Sequence, residues 1–159
     1  MFIAHLPAGY LLTSTIQRAA HRPSKRLMAL GLVASVMPDV DLLYFYLVDD
    51  GQVHHHAYIT HMPYIWVAAG LVALVVTMLA GKNTWQTGVL IVVANGVLHM
   101  VLDTLVGGIY WLMPFNDAFW IVTEVPSRHS WWPASFILHW TFMLELLIVL
   151  SASLHWKRR

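Results

Sequence analysis

The sequence predicts an all-α fold, an integral membrane helical bundle of four to five spanning or partly spanning helices. Of its 159 residues, 58% are hydrophobic and 11% are charged, whereas soluble domains carry about 25% charged residues. The apolar residues fall into five long runs, and about 20 such residues span a bilayer. The chain contains no cysteine, which excludes disulfides and thiolate metal ligands. We therefore expect a single membrane-embedded domain, residues 1–159.

The five runs differ in how well each could form a spanning helix. They cover residues 2–17, 27–48, 63–80, 86–106 and 135–154. The first is short. The second should kink or split at Met37-Pro38, because proline removes a helical hydrogen bond and disfavours helix at the residue before it. The third contains no ionisable residue, and the fourth ends at Gly107-Gly108.

Basic residues orient these runs. If successive runs cross the membrane in opposite directions, eight of the nine lysines and arginines lie on the same side of it: Arg18, Arg22, Lys25, Arg26, Lys82, Lys157, Arg158 and Arg159. The positive-inside rule places this side, with the C-terminus, in the cytoplasm. Residues 49–62 and 108–133 then form outer loops. A net charge of +1 without a clustered basic face excludes nucleic acid as a partner.

Histidines and carboxylates interrupt the apolar runs. Each ionisable group costs roughly 2.5–3.5 kcal/mol inside a membrane, so such groups seldom occur there without partners or a function. Most of them lie at one depth in the outward half of the bundle, and histidine with carboxylate is a ligand set for divalent metals. The sequence therefore predicts a metal site. Its candidate ligands are His5, Asp39, Asp41, His56, His61, His99, Asp103 and His139.

Two local patterns carry most of this prediction. His99 and Asp103 are four residues apart and share one helical face. They could chelate a metal, the aspartate could orient the histidine, or the pair could simply join two helices by a hydrogen bond. In extended or turn geometry, Asp39 and Asp41 would point the same way. In a helix they would diverge, and the expected break before Pro38 favours the first geometry. Alternatively, Asp39 caps a helix.

The two outer loops add further candidates. In the histidine-rich loop, we expect His56 and His61 to be ligands on a turn and His54 to be solvated. Arg128 and His129 lie in the other loop. They could bind a substrate phosphate, because the arginine guanidinium matches phosphate geometry. The alternative is that Arg128 is one surface charge.

The order of these motifs resembles the YdjM/YbcI-type family, described as inner-membrane-associated metal-dependent hydrolases. The matching residues are His5, Pro38-Asp39-Val40-Asp41, His56, Thr60-His61, His99 and Asp103. Where the family often has His-Arg-Gly-x-Thr-His-Ser, this chain has Ala57, Tyr58 and Met62 in place of the arginine, glycine and serine. The family is similar in motif order to zinc-dependent phospholipase C and P1-type nucleases, which hydrolyse phosphoesters at a zinc cluster.

This resemblance implies a multi-pass hydrolase of the bacterial inner membrane, with its active site toward the periplasm. Its substrate would be a phosphoester in a membrane lipid or lipid-linked molecule. Asp39 and Asp41 would be catalytic, Asp41 as a bridging ligand or as the general base. One to three divalent ions are implied, with zinc favoured and manganese or iron as alternatives. A homo-oligomer is possible.

Two alternative functions remain. The chain could be a non-catalytic scaffold, in which a closed ligand shell only holds helices together. It could also be a transporter or proton relay that uses the same intramembrane groups. Such a relay needs a path to both faces, and the cytoplasmic half of the runs is almost wholly apolar. We therefore rank it third.

Overall fold

The structure, a computed structural model, describes residue 1 and residues 3–158. The helices are α1 (His5–Ala19), α2 (Lys25–Ala34), α3 (Asp41–Leu47), α4 (Pro63–Leu79), α5 (Asn83–Asp103), α6 (Trp132–Ile137) and α7 (Thr141–Lys157). Three short 3-10 turns, Pro38–Val40, His55–Ala57 and Ile59–His61, join them. The described residues contain no strand, so the all-α class is confirmed. Phe2, where we expected the first run to begin, and Arg159 lie outside the described residues.

Helix α5 is the centre of the packing. Helices α1, α2 and α4 all contact it, and α7 packs on α1. The buried face of α5 recurs every three or four residues, through Gly88, Ile91, Asn95, His99 and Asp103. Since this is the helical repeat, one face of α5 carries both the core and the two predicted ligands.

The distribution of side chains is inverted relative to a soluble protein. On α4, the buried positions are Pro63, Gly70 and Thr77, while Val72 and Leu79 are 66% and 85% exposed. Small and polar residues thus face the neighbouring helices, and large apolar residues face outward. This is the arrangement expected where the surroundings are lipid.

One helix among the described residues, α5, is long and apolar enough to cross a membrane by itself. Helices α2 and α3 count as a second span only if their bent pair, with 56° between its halves, is taken as one. Helix α4 is apolar but has only 17 residues. The all-helical class is therefore established, whereas the expected number of four to five spans is not confirmed.

The second run divides near the expected place. Helix α2 ends at Ala34, and Pro38–Val40 forms a 3-10 turn that leads directly into α3. The expectation that Asp39 and Asp41 point the same way is wrong, because the 3-10 turn continues directly into helix α3. The two carboxylates therefore diverge. Asp41 is buried, and the Asp39 side chain is 31% exposed.

The fifth run is also divided, which the sequence analysis did not anticipate. Helix α6 ends at Ile137 and α7 begins at Thr141, so His139 lies in the break. Histidine, tryptophan and threonine have modest helix propensities, and His139-Trp140-Thr141 offers little local support for a continuous helix.

The interface between α1 and α5, on the side away from the predicted ligands, is more polar than expected. Along α1, His5, Gly9, Thr13 and Gln17 recur every four residues and are all buried. The Asn95 amide donates to Thr13 Oγ1 at 3.0 Å, and the Ser24 backbone N–H donates to Gln17 Oε1 at 2.8 Å. The expectation that these parts of the runs are almost wholly apolar is thus wrong for the side chains between helices. Polar bonds of this kind join helices inside membranes.

Candidate metal centre

Four predicted ligands meet at one point. Donor atoms of Asp39, His61, His99 and Asp103 all lie within 4.8 Å of one another. They come from the turn after α2, the turn before α4 and the C-terminal end of α5. Three of the four residues are buried, and Asp39 is half-buried. Four oxygen and nitrogen donors from three parts of the chain are therefore gathered at one largely buried position.

The spacing of these atoms suits a tetrahedral ion. His99 Nε2 lies 2.9 Å from Asp103 Oδ2 and 3.5 Å from Asp39 Oδ1. His61 Nε2 lies 3.7 Å from an oxygen of each carboxylate. Four ligands bound at zinc distances of about 2.0–2.1 Å in tetrahedral geometry lie about 3.3 Å apart. The observed separations bracket this value.

Hydrogen bonds set the ring orientation of three histidines. His99 Nδ1 donates to the Ser35 carbonyl at 2.8 Å, and His61 Nδ1 donates to Asp41 Oδ2 at 2.6 Å. His56 Nδ1 lies 2.9 Å from the Gly108 carbonyl, which accepts its proton. In each neutral ring Nε2 then carries a lone pair, and all three Nε2 atoms face Asp103. Metal-bound histidines are held in this way.

Whether a cation fits this cluster can be judged from its buried nitrogen and oxygen atoms that lack a hydrogen-bond partner. His61 Nε2 is buried, and within the part of the chain that the structure describes it has no hydrogen-bond partner. His99 Nε2 and Asp103 Oδ2 lie 2.9 Å apart, and when His99 is neutral with its proton on Nδ1 these two buried atoms are also without a partner. Lone pairs that face one another this closely repel, and burying them without a partner costs free energy. A divalent cation among them removes both penalties. The residues present therefore fit a metal ion.

Asp41 lies behind His61 rather than beside Asp39. Its Oδ2 accepts a hydrogen bond from His61 Nδ1, at 2.6 Å, and another from the Thr60 hydroxyl. Trp66 Nε1 in turn donates to the Thr60 carbonyl at 2.8 Å. Asp41 is thus positioned to orient a ligand. Its other oxygen, Oδ1, is buried without a hydrogen-bond partner among the described residues.

Asp103 also connects the cluster to His5 and His56. His5 Nε2 lies 3.2 Å from Asp103 Oδ1, and His56 Nε2 lies 3.7 Å from Oδ2. The His5 ring stacks on His99 with ring centres 3.8 Å apart. The amino group of Met1 contacts Asp103 Oδ1 as well. Both Asp103 oxygens therefore face nitrogen atoms of neighbouring residues.

His55 is a candidate ligand that the sequence patterns did not identify. His55 forms one potential ligand group with Asp41 and His61, and another with His54 and His56. His54 is exposed, as expected. Burial lowers the pKa of His56 to about 4. The pKa values of His55 and of the more exposed His54 are also lowered, first by their partial removal from water and then by the nearby His61. These rings are therefore neutral near pH 7, which is the form that binds metal. The run of three histidines was the available signal for His55.

Gly107 is a second residue that the motifs did not identify. A Cβ atom at this position would lie 2.2 Å from His56 Cε1. The Gly107 carbonyl also lies 3.0 Å from His56 Nδ1. The glycine therefore lets the backbone approach the imidazole closely enough to orient it. The Gly107-Gly108 pair directly after the His99–Asp103 helix was the signal for this role.

Three predicted site residues lie elsewhere. Arg128, His129 and His139 line a cavity of about 340 Å³ of their own, and His139 Nδ1 lies 2.8 Å from Thr141 Oγ1. His139 belongs to none of the ligand groups found among the described residues. His139 was predicted to be a ligand because a continuous helix from residue 135 would place it at the same membrane depth as the other candidates. The break at His139 removes this reason.

The centre forms one wall of a larger cavity. This cavity measures about 770 Å³, and its polar lining includes Asp39, His55, His56 and Asp103. Its apolar lining includes Leu42, Phe45, Val106 and Phe136. Asp39 is the most accessible of the four clustered residues, as its side chain is 31% exposed and the other three are at most 3% exposed. A molecule with a polar and an apolar part can therefore reach the candidate ligands.

Comparison with known proteins gives one family match that covers the whole chain. The family model described as YdjM inner membrane protein matches residues 1–159. No curated protein and no solved structure matches the chain. The family match covers every ligand residue described above together with the helices that hold it. The chain therefore belongs to the YdjM inner membrane protein family.

Proposed function

We propose that this protein is a membrane-embedded, metal-dependent hydrolase that cleaves a phosphoester in a membrane lipid or lipid-linked substrate. The observation that carries the proposal is the position of the His/Asp cluster on the wall of a cavity with both polar and apolar lining. An ion that only holds helices together needs no such access. The resemblance in motif order to zinc-dependent phospholipase C suggests the reaction class.

The candidate ligands divide into distinct roles. His61, His99, Asp39 and Asp103 would hold the first ion, and His5 and His56, on either side of Asp103, would contribute to a second. Zinc is favoured because histidines and carboxylates supply the donors, and manganese and iron suit the same set. When bound, a divalent cation supplies Lewis acidity and lowers the pKa of water at this position.

Asp39 is the catalytic base in this proposal. Of the two clustered carboxylates on the cavity wall it is the more exposed, so the oxygen that does not bind the ion can accept a proton from a water molecule attacking a phosphorus atom. Asp41 keeps His61 in the tautomer that presents Nε2, and it is a positioning residue. The apolar wall formed by Phe45, Val106 and Phe136 suits a lipid tail.

The same proposal includes several membrane passes. Helices α1, α4, α5 and α7 and the bent α2–α3 pair would cross or partly cross the bilayer, with the C-terminus in the cytoplasm. The metal centre then lies toward the periplasm, because His99 and Asp103 are at the outward end of α5. The loop charges and the outward-facing apolar side chains of α4 support this arrangement.

The alternatives are weaker on specific grounds. A structural ion would be enclosed by its ligands, yet Asp39 borders a cavity. A relay would use the polar groups between α1 and α5, yet the hydrogen bonds of Asn95, Thr13 and Gln17 join neighbouring segments to one another. Helix packing accounts for those contacts without a transport function.

Metal content and turnover test the proposal together. We expect elemental analysis of detergent-purified protein to give near-stoichiometric zinc or manganese, and the His99→Ala/Asp103→Ala variant to lack it. Wild type should hydrolyse phospholipid phosphoesters, and Asp103→Ala should not. A folded wild type without metal would contradict the metal centre. A fully metallated, active Asp103→Ala variant would contradict the ligand assignment.

A further inference from the structure

A second, smaller cavity lies on another side of α6 from the metal centre. Ser135 of α6 lines this cavity, whereas its neighbour Phe136 lines the cavity of the metal centre. The break between α6 and α7 contributes His139 and Trp140, and the preceding loop contributes Arg128 and His129. The two cavities thus share α6 as a wall.

The chemistry of this cavity suits an anion. It offers a guanidinium, two imidazoles and a hydroxyl, and none of its lining residues is acidic. The Ser135 side chain is buried, with 8% of the residue exposed, and its Oγ has no hydrogen-bond partner among the described residues. His139 Nδ1 is engaged with Thr141 Oγ1, so Nε2 is the nitrogen left for a ligand. Buried polar atoms are normally paired, and an anion could pair with this one.

We infer that Arg128, His129, Ser135 and His139 form a phosphate-binding pocket, separate from the metal centre, that holds a phosphate group of the substrate. An arginine binds two phosphate oxygens through parallel N–H donors, and Ser135 Oγ can donate to a third. That the phosphate belongs to a substrate rests on the proposed function; the anion site itself rests on the four side chains. The phosphate could be part of a lipid headgroup or be free in solution, and the two sources present the same oxygens.

Inorganic phosphate is the first probe, used with the full-length protein in detergent before and after treatment with EDTA. Isothermal titration calorimetry should show saturable binding that survives metal removal. Arg128→Ala and Ser135→Ala should each weaken it by about tenfold or more, since hydrogen bonds to charged groups are among the strongest. Arg158→Ala is the matched control, because Arg158 is an exposed arginine at the end of α7, outside this cavity.

The outcomes separate this site from the metal centre. Phosphate binding that EDTA abolishes would assign the anion to the metal centre and overturn the pocket. Equal affinities for Arg128→Ala and Arg158→Ala would also overturn it. Binding that persists in protein without metal would support the pocket even if the hydrolase proposal failed.

Nanodiscs distinguish the two sources of phosphate. If nanodiscs containing phosphatidic acid compete with inorganic phosphate and pure phosphatidylcholine nanodiscs do not, the pocket takes a lipid headgroup. If neither competes while inorganic phosphate still binds, the pocket takes a phosphate from solution. No saturable binding of phosphate and no preference for phosphatidic acid would reject the inference.

Discussion

His61 Nδ1 lies 2.6 Å from Asp41 Oδ2, while Nε2 of the same ring lies 3.7 Å from Asp39 and from Asp103. The imidazole therefore stands between a carboxylate that orients it and two carboxylates that share its other nitrogen. This arrangement gives Asp41 a role different from that of Asp39, although the two are separated by one residue.

Asp41→Asn should weaken metal binding, although it leaves all four clustered ligands in place. The asparagine oxygen can still accept from His61 Nδ1, but the negative charge that makes the ring a better donor is lost. We expect a loss in metal affinity of about 10-fold, and nearer 100-fold for Asp41→Ala. Competition with a chelator measures it. Asp117→Asn, an exposed aspartate outside the centre, is the control, and an unchanged affinity in Asp41→Ala would contradict the positioning role.

Gly107→Ala should disturb His56 directly. The added Cβ would lie 2.2 Å from His56 Cε1, so the ring or the backbone must move. Such overpacking typically costs about 1–3 kcal/mol, and we expect lower metal content as well as lower stability. In the control, Gly88→Ala, the nearest atom is Leu30 Cδ2 at 3.5 Å. If Gly107→Ala matched the Gly88→Ala variant in both readouts, the close approach would have no function.

Metal removal should lower the thermal stability of the whole protein. The ligands come from the turn after α2, the turn before α4 and the end of α5, so an ion joins segments that are distant in sequence. A ligand present at about 1,000 times its Kd stabilises the folded state by about 4 kcal/mol. Melting curves in detergent, with and without EDTA, would show this as a lower Tm. The His99→Ala/Asp103→Ala variant should not respond to EDTA, and an equal shift there would point to an ion bound elsewhere.

Cysteine labelling can test the proposed orientation, because the chain has no cysteine of its own. Ser127→Cys lies in the proposed outer loop and Lys82→Cys in a proposed cytoplasmic loop, and both native residues are exposed. A membrane-impermeant maleimide applied to intact spheroplasts should label Ser127→Cys alone. Lys82→Cys should react only after permeabilisation. The reverse pattern would place the metal centre toward the cytoplasm.

Sequence patterns predicted the parts of the site that depend on local geometry. His99 and Asp103 lie on one face of a regular helix, so their spacing alone placed them together. His5, His56, His61 and Asp39 also converge on Asp103 in the structure. Proline predicted the division of the second run.

The remaining features depended on packing that spacing does not encode. Whether Asp41 faces the ion or the back of His61 depends on Pro38–Val40 being helical. His139 was misplaced because the break between α6 and α7 lacks a proline or glycine signal. The contact of Gly107 with His56 joins residues far apart in the chain, so the Gly107-Gly108 pair could indicate a close approach of the backbone but not the residue that it approaches.

The modest length of several helices has a consequence for the surrounding lipid. At 1.5 Å per residue, α1 and α4, with 15 and 17 residues, are about 22 and 26 Å long, against about 30 Å for the hydrocarbon core of a bilayer. A bilayer responds to short spans by thinning locally. In the proposed arrangement, headgroups of the outer leaflet would sink toward the depth of Asp39, and a lipid phosphate could approach the ion without its tails leaving the membrane. The rate of hydrolysis would then depend on the thickness of the bilayer as well as on the metal centre.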